Sequence, residues 1–176
     1  DISRIKEAVD LIEISKKPVI YSGGGVIQND ASEELTEFAK LLNFPVTNTL
    51  MGLGAFPGSD PQFMGMLGMH GTYQANMAMH NADLIIAIGA RFDDRITNDP
   101  KQFSLGAKKI HIDVDPASVS KIIHADIPIV GSAKQCLSAL LHELNSRDLK
   151  LNTSAIAEWN QQISDWRDTH GLNHSL

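Results

Sequence analysis

The chain has 176 residues, with 15 Lys and Arg against 21 Asp and Glu, a formal net charge of −6 and 43% hydrophobic residues. This length fits one domain, or one domain with an appendage, and the acidic balance counts against nucleic acid as a partner. The longest apolar runs are far shorter than the roughly 20 residues that span a membrane, so no membrane partner is expected. One cysteine, Cys136, excludes an internal disulfide and fits a reducing compartment such as the cytoplasm.

Strand and helix patterns alternate along the chain, which opens at Asp1 inside a helical pattern and so suggests a piece of a longer protein. The predicted strands cover residues 18–21, 45–47, 64–67, 83–88, 109–114 and 127–130. Helical patterns follow predicted N-terminal caps at Ser3, at Asp30 with Glu33 as its capping-box partner, and at Ser132. A further helix is predicted over residues 72–80.

Strands that alternate with helices and are apolar on both faces indicate a parallel sheet covered on both sides. Six strands favour an α/β fold with three α/β/α layers, doubly wound and Rossmann-like, in the strand order 3-2-1-4-5-6. The first and fourth strands are then neighbours, and their carboxyl ends carry Gly23-Gly24-Gly25 and Gly89-Ala90-Arg91. Ligands of such sheets bind in this crevice, so the architecture predicts a binding site there.

Residues 146–176 differ from the rest of the chain. Polar residues break the pattern, and a separate helical stripe follows, formed by Ile156, Trp159, Ile163 and Trp166. We therefore predict a domain over residues 1–145 and, over 146–176, a linker and a helix that lead into a missing C-terminal domain.

Two loops are candidates for ligand binding. Gly23-Gly24-Gly25 lies between a strand and a helix, a setting for phosphate binding by backbone amides, although Gln28 breaks the nicotinamide fingerprint. The alternative is a tight glycine-rich turn with no ligand. In Arg91-Phe92-Asp93-Asp94-Arg95, two guanidinium groups are suited to clamping a phosphate or a flat ring. The alternative is a surface cluster of ion pairs that compensate each other.

Other reactive or flexible side chains receive simpler interpretations. Met69-His70 lies between glycines, which lets the backbone approach a ligand closely. Met77 and Met79 are expected in the core, Cys136 is expected to be an inert core residue, and His111 is expected on an exposed strand face. The seven histidines show no metal-ligand spacing.

Three blocks of the sequence carry a family resemblance. They are Gly65-Met66-Leu67-Gly68-Met69-His70-Gly71-Thr72, Gly89-Ala90-Arg91-Phe92-Asp93-Asp94-Arg95 and His111-Ile112-Asp113-Val114-Asp115-Pro116. The chain closely resembles the catalytic subunit of the acetolactate synthase family, which depends on thiamine diphosphate. The resemblance runs from residue 18 to residue 144 and covers the central domain of the family's usual three.

The resemblance implies an enzyme that decarboxylates pyruvate on thiamine diphosphate with Mg²⁺ and joins the two-carbon unit to a second 2-oxo acid, for branched-chain amino acid biosynthesis. It also implies that the central domain binds FAD, with no net redox role. The implied FAD contacts are Gly23, Gly24, Gly25, Thr49, Leu50, Gly68, Met69, His70, Gly89, Ala90, Arg91, Asp93, Ile96 and Asp113. The implied lining of the substrate channel is Met69, Asp94 and Arg95.

Parts of the family's machinery do not occur in this chain. The Gly-Asp-Gly and Asn-Asn segments that bind Mg²⁺ and diphosphate are absent, and the family's catalytic glutamate belongs to an N-terminal domain. We therefore predict no catalytic residue and no metal ligand here, and an inactive chain when it is alone. The expected partners are the missing N- and C-terminal domains, further copies in a homo-oligomer, and a small regulatory subunit.

Two positions depart from the family pattern. Ser132 stands where the family often has aspartate, and Met51 differs from the residue often found there, so Met51 is not carried over as a flavin contact. Because of Ser132, and because loops of this domain also lean on other domains in the whole enzyme, the chain alone is expected to hold FAD weakly. The alternative identities are the middle domain of another flavin-containing thiamine diphosphate enzyme, such as pyruvate oxidase, or a non-catalytic nucleotide-binding module.

Overall fold

The computed structural model describes residues 2–90, 106–116 and 125–171. The helices are α1 (Ile2–Ile14), α2 (Gly24–Gln28), α3 (Ser32–Leu42), α4 (Tyr73–Asn81), α5 (Ala133–Ser146) and α6 (Thr153–Gly171). The strands are β1 (Pro18–Ser22), β2 (Val46–Asn48), β3 (Phe63–Met66), β4 (Leu84–Ile88), β5 (Lys108–Asp113) and β6 (Ile127–Val130). A 3-10 turn, Leu50–Gly52, follows β2. Within these ranges, no helix combines the length and the hydrophobicity needed to cross a membrane.

The strands form one parallel sheet in the order β3-β2-β1-β4-β5-β6, which confirms the doubly wound topology predicted from the sequence. Ser22, at the carboxyl end of β1, pairs with Asn48 of β2 and with Ile88 of β4. The loops that leave β1 and β4 are therefore neighbours at the carboxyl edge of the sheet, as the predicted crevice requires.

Helices cover both faces of the sheet and create two cores. On one face, Ile20 and Ile86 pack in a cluster with apolar side chains of α1, α3 and α5. On the other face, Val19 and Ile85 pack with side chains of α4 and α6. Alternate residues of β1 and β4 thus enter different cores, which explains why every residue of these two strands is buried. The predicted three-layer arrangement is confirmed.

The helix caps agree with the sequence patterns in part. Thr72 and Ser132 cap α4 and α5, each accepting a backbone N–H bond on its side-chain oxygen. The prediction for Asp30 is wrong: it adopts a left-handed conformation with φ of 53°, its carboxylate faces solvent, and Ala31 takes the cap position of α3 without a side-chain bond. Ser3 lies inside α1, which begins one residue earlier.

Helix α6 packs against the sheet of this same chain. Trp159 and Ile163 are buried in the second core, and Trp159 Nε1 donates to the Pro18 carbonyl oxygen over 2.9 Å. Trp166 meets Trp159 edge-on, with ring centroids 5.9 Å apart. The apolar stripe of α6 therefore packs on the sheet of its own chain, because the sheet face beside α4 needs a second covering helix. The division of the chain at residue 145 stays a prediction.

An arginine joins the first helix to the fifth. Arg147 directly follows α5, and its guanidinium lies 2.8 Å from Asp10, 2.6 Å from Glu13 and 2.7 Å from Glu143. These three carboxylates raise the pKa of Arg147. The network therefore fixes the angle between α1 and α5 at the amino edge of the sheet, opposite the predicted site.

Candidate functional site

The carboxyl edge of the sheet brings together the predicted flavin contacts that the structure describes. They lie at or just beyond the carboxyl ends of five different strands and are Gly23, Gly24, Gly25, Thr49, Leu50, Gly68, Met69, His70, Gly89, Ala90 and Asp113. The remaining predicted flavin contacts, Arg91, Asp93 and Ile96, lie outside the described residues, as do Asp94 and Arg95, which were predicted to line the substrate channel. Residues that are far apart in the chain thus share one edge, as the doubly wound topology predicts.

The loops after β1 and β4 interlock through glycines. A Cβ atom on Gly23 would lie 2.6 Å from Ala90 Cα, and one on Gly25 would lie 2.6 Å from Gly89 Cα. Gly25 N also donates to Gly89 O over 2.9 Å, and Gly89 has a left-handed φ of 59°. Packing between the two loops therefore requires glycine at positions 23 and 25, independently of any ligand.

Gly24 differs from its two neighbours. The three atoms nearest to a Cβ atom there would all belong to Met51, the closest being Met51 Cβ at 3.2 Å. Gly24 is the first residue of α2, which has only five residues and so carries a small helix dipole. Any ligand at this loop would rely on individual backbone N–H groups.

The loop after β2 presents apolar side chains to solvent. Thr49 Oγ1 accepts a bond from Gly52 N, and Thr49 N donates to Ser22 O over 2.9 Å, which fixes the 3-10 turn beside β1. The turn leaves Leu50 66% exposed and Met51 71% exposed. Both side chains therefore lie outside the two cores, at the carboxyl edge of the sheet.

An asparagine that the sequence patterns did not reveal holds the loop after β3. Asn76, in the first turns of α4, donates from Nδ2 to Gly68 O over 2.9 Å and accepts at Oδ1 from Gly68 N over 3.2 Å. Gly68 has a φ of 117°, a conformation that favours glycine. The clamp leaves Met69 79% exposed, and His70 is exposed as well. The Met69 side chain therefore projects away from both cores, and its predicted contact with a ligand stays a prediction.

His111 occupies a different environment from the one predicted. It is fully buried, because β5 is an interior strand whose neighbours and covering layers shield both faces. Its Nε2 lies 2.8 Å from the carbonyl oxygen of Ala90 and 4.0 Å from Asp113 Oδ2. Burial lowers the pKa of His111, more than the bond to Ala90 and the nearby carboxylate raise it. The expectation of an exposed strand residue is wrong.

Polar side chains are also buried at the ends of β1 and β2. Ser22 Oγ and both amide atoms of Asn48 have no hydrogen-bond partner among the described residues. Buried polar atoms normally have a partner, so this pair is suited to a polar ligand atom or an internal water. Within the described part of the chain, no group of three or more His, Cys, Asp or Glu residues has the arrangement of a metal site.

Cys136 and Met79 lie in the core, as predicted, and Met77 lies at its margin. Cys136 is buried in α5, and burial raises the pKa of its thiol, which keeps it protonated and unreactive. Met79 is buried in the second core, whereas Met77 is half-buried.

The fold and the edge site identify a class of protein domain. Residues 5–140 match the family model described as thiamine pyrophosphate enzyme, central domain. This match covers most of the chain, and the chain belongs to that family.

Three proteins similar to this chain are acetolactate synthase large subunits, which confirms the predicted resemblance. The chain is 53% identical over 170 residues to an acetolactate synthase large subunit of Buchnera aphidicola subsp. Schlechtendalia chinensis. It is 51% identical over 164 residues to the acetolactate synthase large subunit of Haemophilus influenzae, and 49% identical over 171 residues to the acetolactate synthase isozyme 3 large subunit of Escherichia coli K12. These matches cover 97%, 93% and 97% of this chain but only 30%, 28% and 30% of the relatives. The chain thus spans less than a third of their length.

Proposed function

We propose that the chain is the central domain of an acetolactate synthase large subunit and that the carboxyl edge of its sheet binds FAD. The observation that carries the proposal is the identity of about half the residues over nearly the whole chain to three proteins with that name. The proposed reaction of the full-length protein is the decarboxylation of pyruvate and the transfer of the two-carbon unit to a second 2-oxo acid.

The residues at the edge fit the chemical parts of FAD. A flat ring system needs apolar contacts, and Leu50 and Met69 offer large exposed side chains. A pyrophosphate needs N–H donors from a loop that approaches closely, which Gly24 permits. Ribose hydroxyls need acceptors, and Asp113 ends β5 with a half-buried carboxylate that accepts one bond from Asp115 N. The edge therefore offers all three kinds of contact.

We propose that the catalytic steps take place on other domains of the full-length protein. Thiamine diphosphate with Mg²⁺ supplies the means of decarboxylation when the full-length protein holds it, and we propose no catalytic residue and no metal ligand in this chain. The contribution of this chain is to hold FAD and to line the substrate channel with Met69, Asp94 and Arg95. The proposal includes a cytoplasmic homo-oligomer with a small regulatory subunit, in which the N- and C-terminal domains complete each site.

Expression of the complete reading frame that contains this chain tests the proposal. With pyruvate, Mg²⁺ and thiamine diphosphate, the purified full-length protein should form acetolactate, and its visible spectrum should show bound flavin. The 176-residue chain alone should form no acetolactate and hold FAD weakly. Absence of acetolactate from the full-length protein, or acetolactate formed by the chain alone, would contradict the proposal.

One substitution tests the flavin half of the proposal separately. Arg91→Ala in the full-length protein should remove FAD, because arginine offers both a positive charge and a planar surface for a ring or a phosphate. The flavin content after gel filtration measures this loss, and circular dichroism checks that the fold is kept. An unchanged flavin content would contradict the role of Arg91.

A further inference from the structure

We propose that His111 is a positioning residue for the flavin site: its Nε2–H bond to the Ala90 carbonyl holds the loop after β4 in the geometry that binds FAD. This inference rests on the proposed function. It concerns a buried histidine on β5 that the family resemblance does not place among the flavin contacts.

The bond reaches past the end of the sheet. In the β4–β5 pairing, Ala87 lies opposite His111, and the last backbone bond of this pair runs from Gly89 N to Ile112 O over 2.9 Å. Ala90 is the next residue of the loop, which begins at Gly89 directly after β4. The His111 side chain, fully buried, extends along the strand to meet the Ala90 carbonyl at 2.8 Å. It thereby continues the attachment of the loop to β5 one residue beyond the sheet.

The loop after β4 also contacts the glycine loop after β1, so two different elements define its position. Ala90 is buried, and a Cβ atom on Gly23 would lie 2.6 Å from its Cα atom and 2.8 Å from its Cβ atom. Ala90 thus lies directly against the glycine loop after β1. If the bond from His111 were lost, Ala90 would lose a direct side-chain attachment to β5, while the backbone bond from Gly89 N to Ile112 O and the contact with Gly23 would remain. Both Ala90 and Gly23 are proposed flavin contacts, so the spacing of the site depends on this bond.

The chemistry of this hydrogen bond shows which ring nitrogen of His111 carries a proton. A carbonyl oxygen only accepts hydrogen bonds, so the His111 nitrogen that faces Ala90 must carry the hydrogen. Asp113 Oδ2, at 4.0 Å from the same nitrogen, lies too far away to accept that hydrogen. A side chain with an N–H group at the Nε2 position should therefore replace His111. Glutamine has such a group, asparagine is too short to place one there, and leucine has none.

The test measures FAD affinity and thermal stability separately in the full-length protein. Flavin is stripped from the wild type and from His111→Gln, His111→Asn and His111→Leu, and each is titrated with FAD. We expect the dissociation constant to rise about tenfold in His111→Leu and His111→Asn, which corresponds to one lost buried bond of about 1.4 kcal/mol. In His111→Gln it should stay within about threefold of the wild-type value.

A matched control separates positioning from stability. Lys109 lies on the same face of β5, is also buried, and donates from Nζ to Ala107 O over 2.9 Å at the opposite end of the strand. Lys109→Met should lower the melting temperature of the flavin-free protein and leave the FAD dissociation constant unchanged.

The FAD affinities of these variants distinguish a positioning role of His111 from a general effect on stability. Wild-type affinity in His111→Leu, or equal weakening in the glutamine and asparagine variants, would overturn the positioning role. If His111→Leu fails to fold, the comparison of glutamine with asparagine still decides. If Lys109→Met weakens FAD binding as much as His111→Leu does, the effect is one of stability and the inference is overturned. A wild-type protein that binds no FAD would instead overturn the proposed function itself.

Discussion

Replacing each glycine of the triplet by alanine, one at a time, should give three different stabilities. A Cβ atom at position 23 or position 25 would lie 2.6 Å from a backbone carbon of the loop after β4. Ordinary carbon–carbon contacts are about 3.5–4.0 Å, so the loops would have to move apart by about 1 Å. Backbone atoms yield less easily than side chains, and overpacking of this kind typically costs about 1–3 kcal/mol.

The middle glycine should respond in the opposite direction. At position 24 the nearest atom is Met51 Cβ at 3.2 Å, so the exposed 3-10 turn that carries Met51 would have to move by only a few tenths of an ångström. Alanine also restricts the unfolded chain, which stabilises a protein by about 0.4–1 kcal/mol where the native backbone allows it. The backbone at Gly24 does allow it, because its φ lies outside the left-handed region.

Thermal unfolding of the 176-residue chain, followed by circular dichroism, measures all three variants. A chain of this length shifts its melting temperature by about 2–4 °C per kcal/mol. Gly23→Ala and Gly25→Ala should therefore melt about 4–8 °C lower for a cost of 2 kcal/mol, and Gly24→Ala should melt at or slightly above the wild-type temperature. Gly58→Ala, where a Cβ atom would meet nothing within 4 Å, serves as the control. Equal destabilisation by all three substitutions would refute the argument from loop packing.

Three further predictions concern other parts of the molecule. Trp159→Phe should destabilise the chain by about 1–3 kcal/mol in urea unfolding, because it leaves the buried Pro18 carbonyl without its 2.9 Å donor; an unchanged midpoint would mean that α6 contributes little to this domain. Arg147→Ala should cost about 1–2 kcal/mol, less in 1 M salt because the side chain is 23% exposed, and salt-independent loss would argue against the ion-pair network. Burial lowers the pKa of His111 below its ordinary value of 6.5, so the unfolded chain binds a proton that the folded chain does not, and stability should fall as the pH drops below about 7. His111→Gln should flatten that decline in thermal unfolding measured from pH 7 to pH 5, whereas parallel curves would contradict it.

The topology was predictable because its signals are local. The strands are short apolar runs bounded by polar residues and glycines, and each lies where a buried parallel strand needs apolar side chains on both faces, as in Leu84–Ile88. The site edge followed from the topology, since the carboxyl ends of β1 and β4 meet wherever the winding reverses.

The features that sequence patterns missed depend on distant contacts. Alternation with Ile110 and Ile112 resembles a half-exposed strand, and only the layers around β5 make His111 a buried residue. The stripe on α6 is visible in the sequence, but its partner is the face of β1, 141 residues away at the Trp159–Pro18 bond. The hydrogen bonds from Asn76 to the backbone of Gly68 depend on the φ of that glycine, which no residue pattern states.

The position of the flavin in a crystal structure of the FAD-bound full-length protein tests the assignment of the carboxyl edge most directly. The prediction is electron density for FAD along the carboxyl ends of the strands, in contact with Gly23–Gly25, with Leu50 and Met69, and with the loop that begins at Gly89. The His111–Ala90 bond should remain in place beneath it. Flavin density at the amino edge of the sheet, or on another domain with this edge left in solvent, would contradict the assignment.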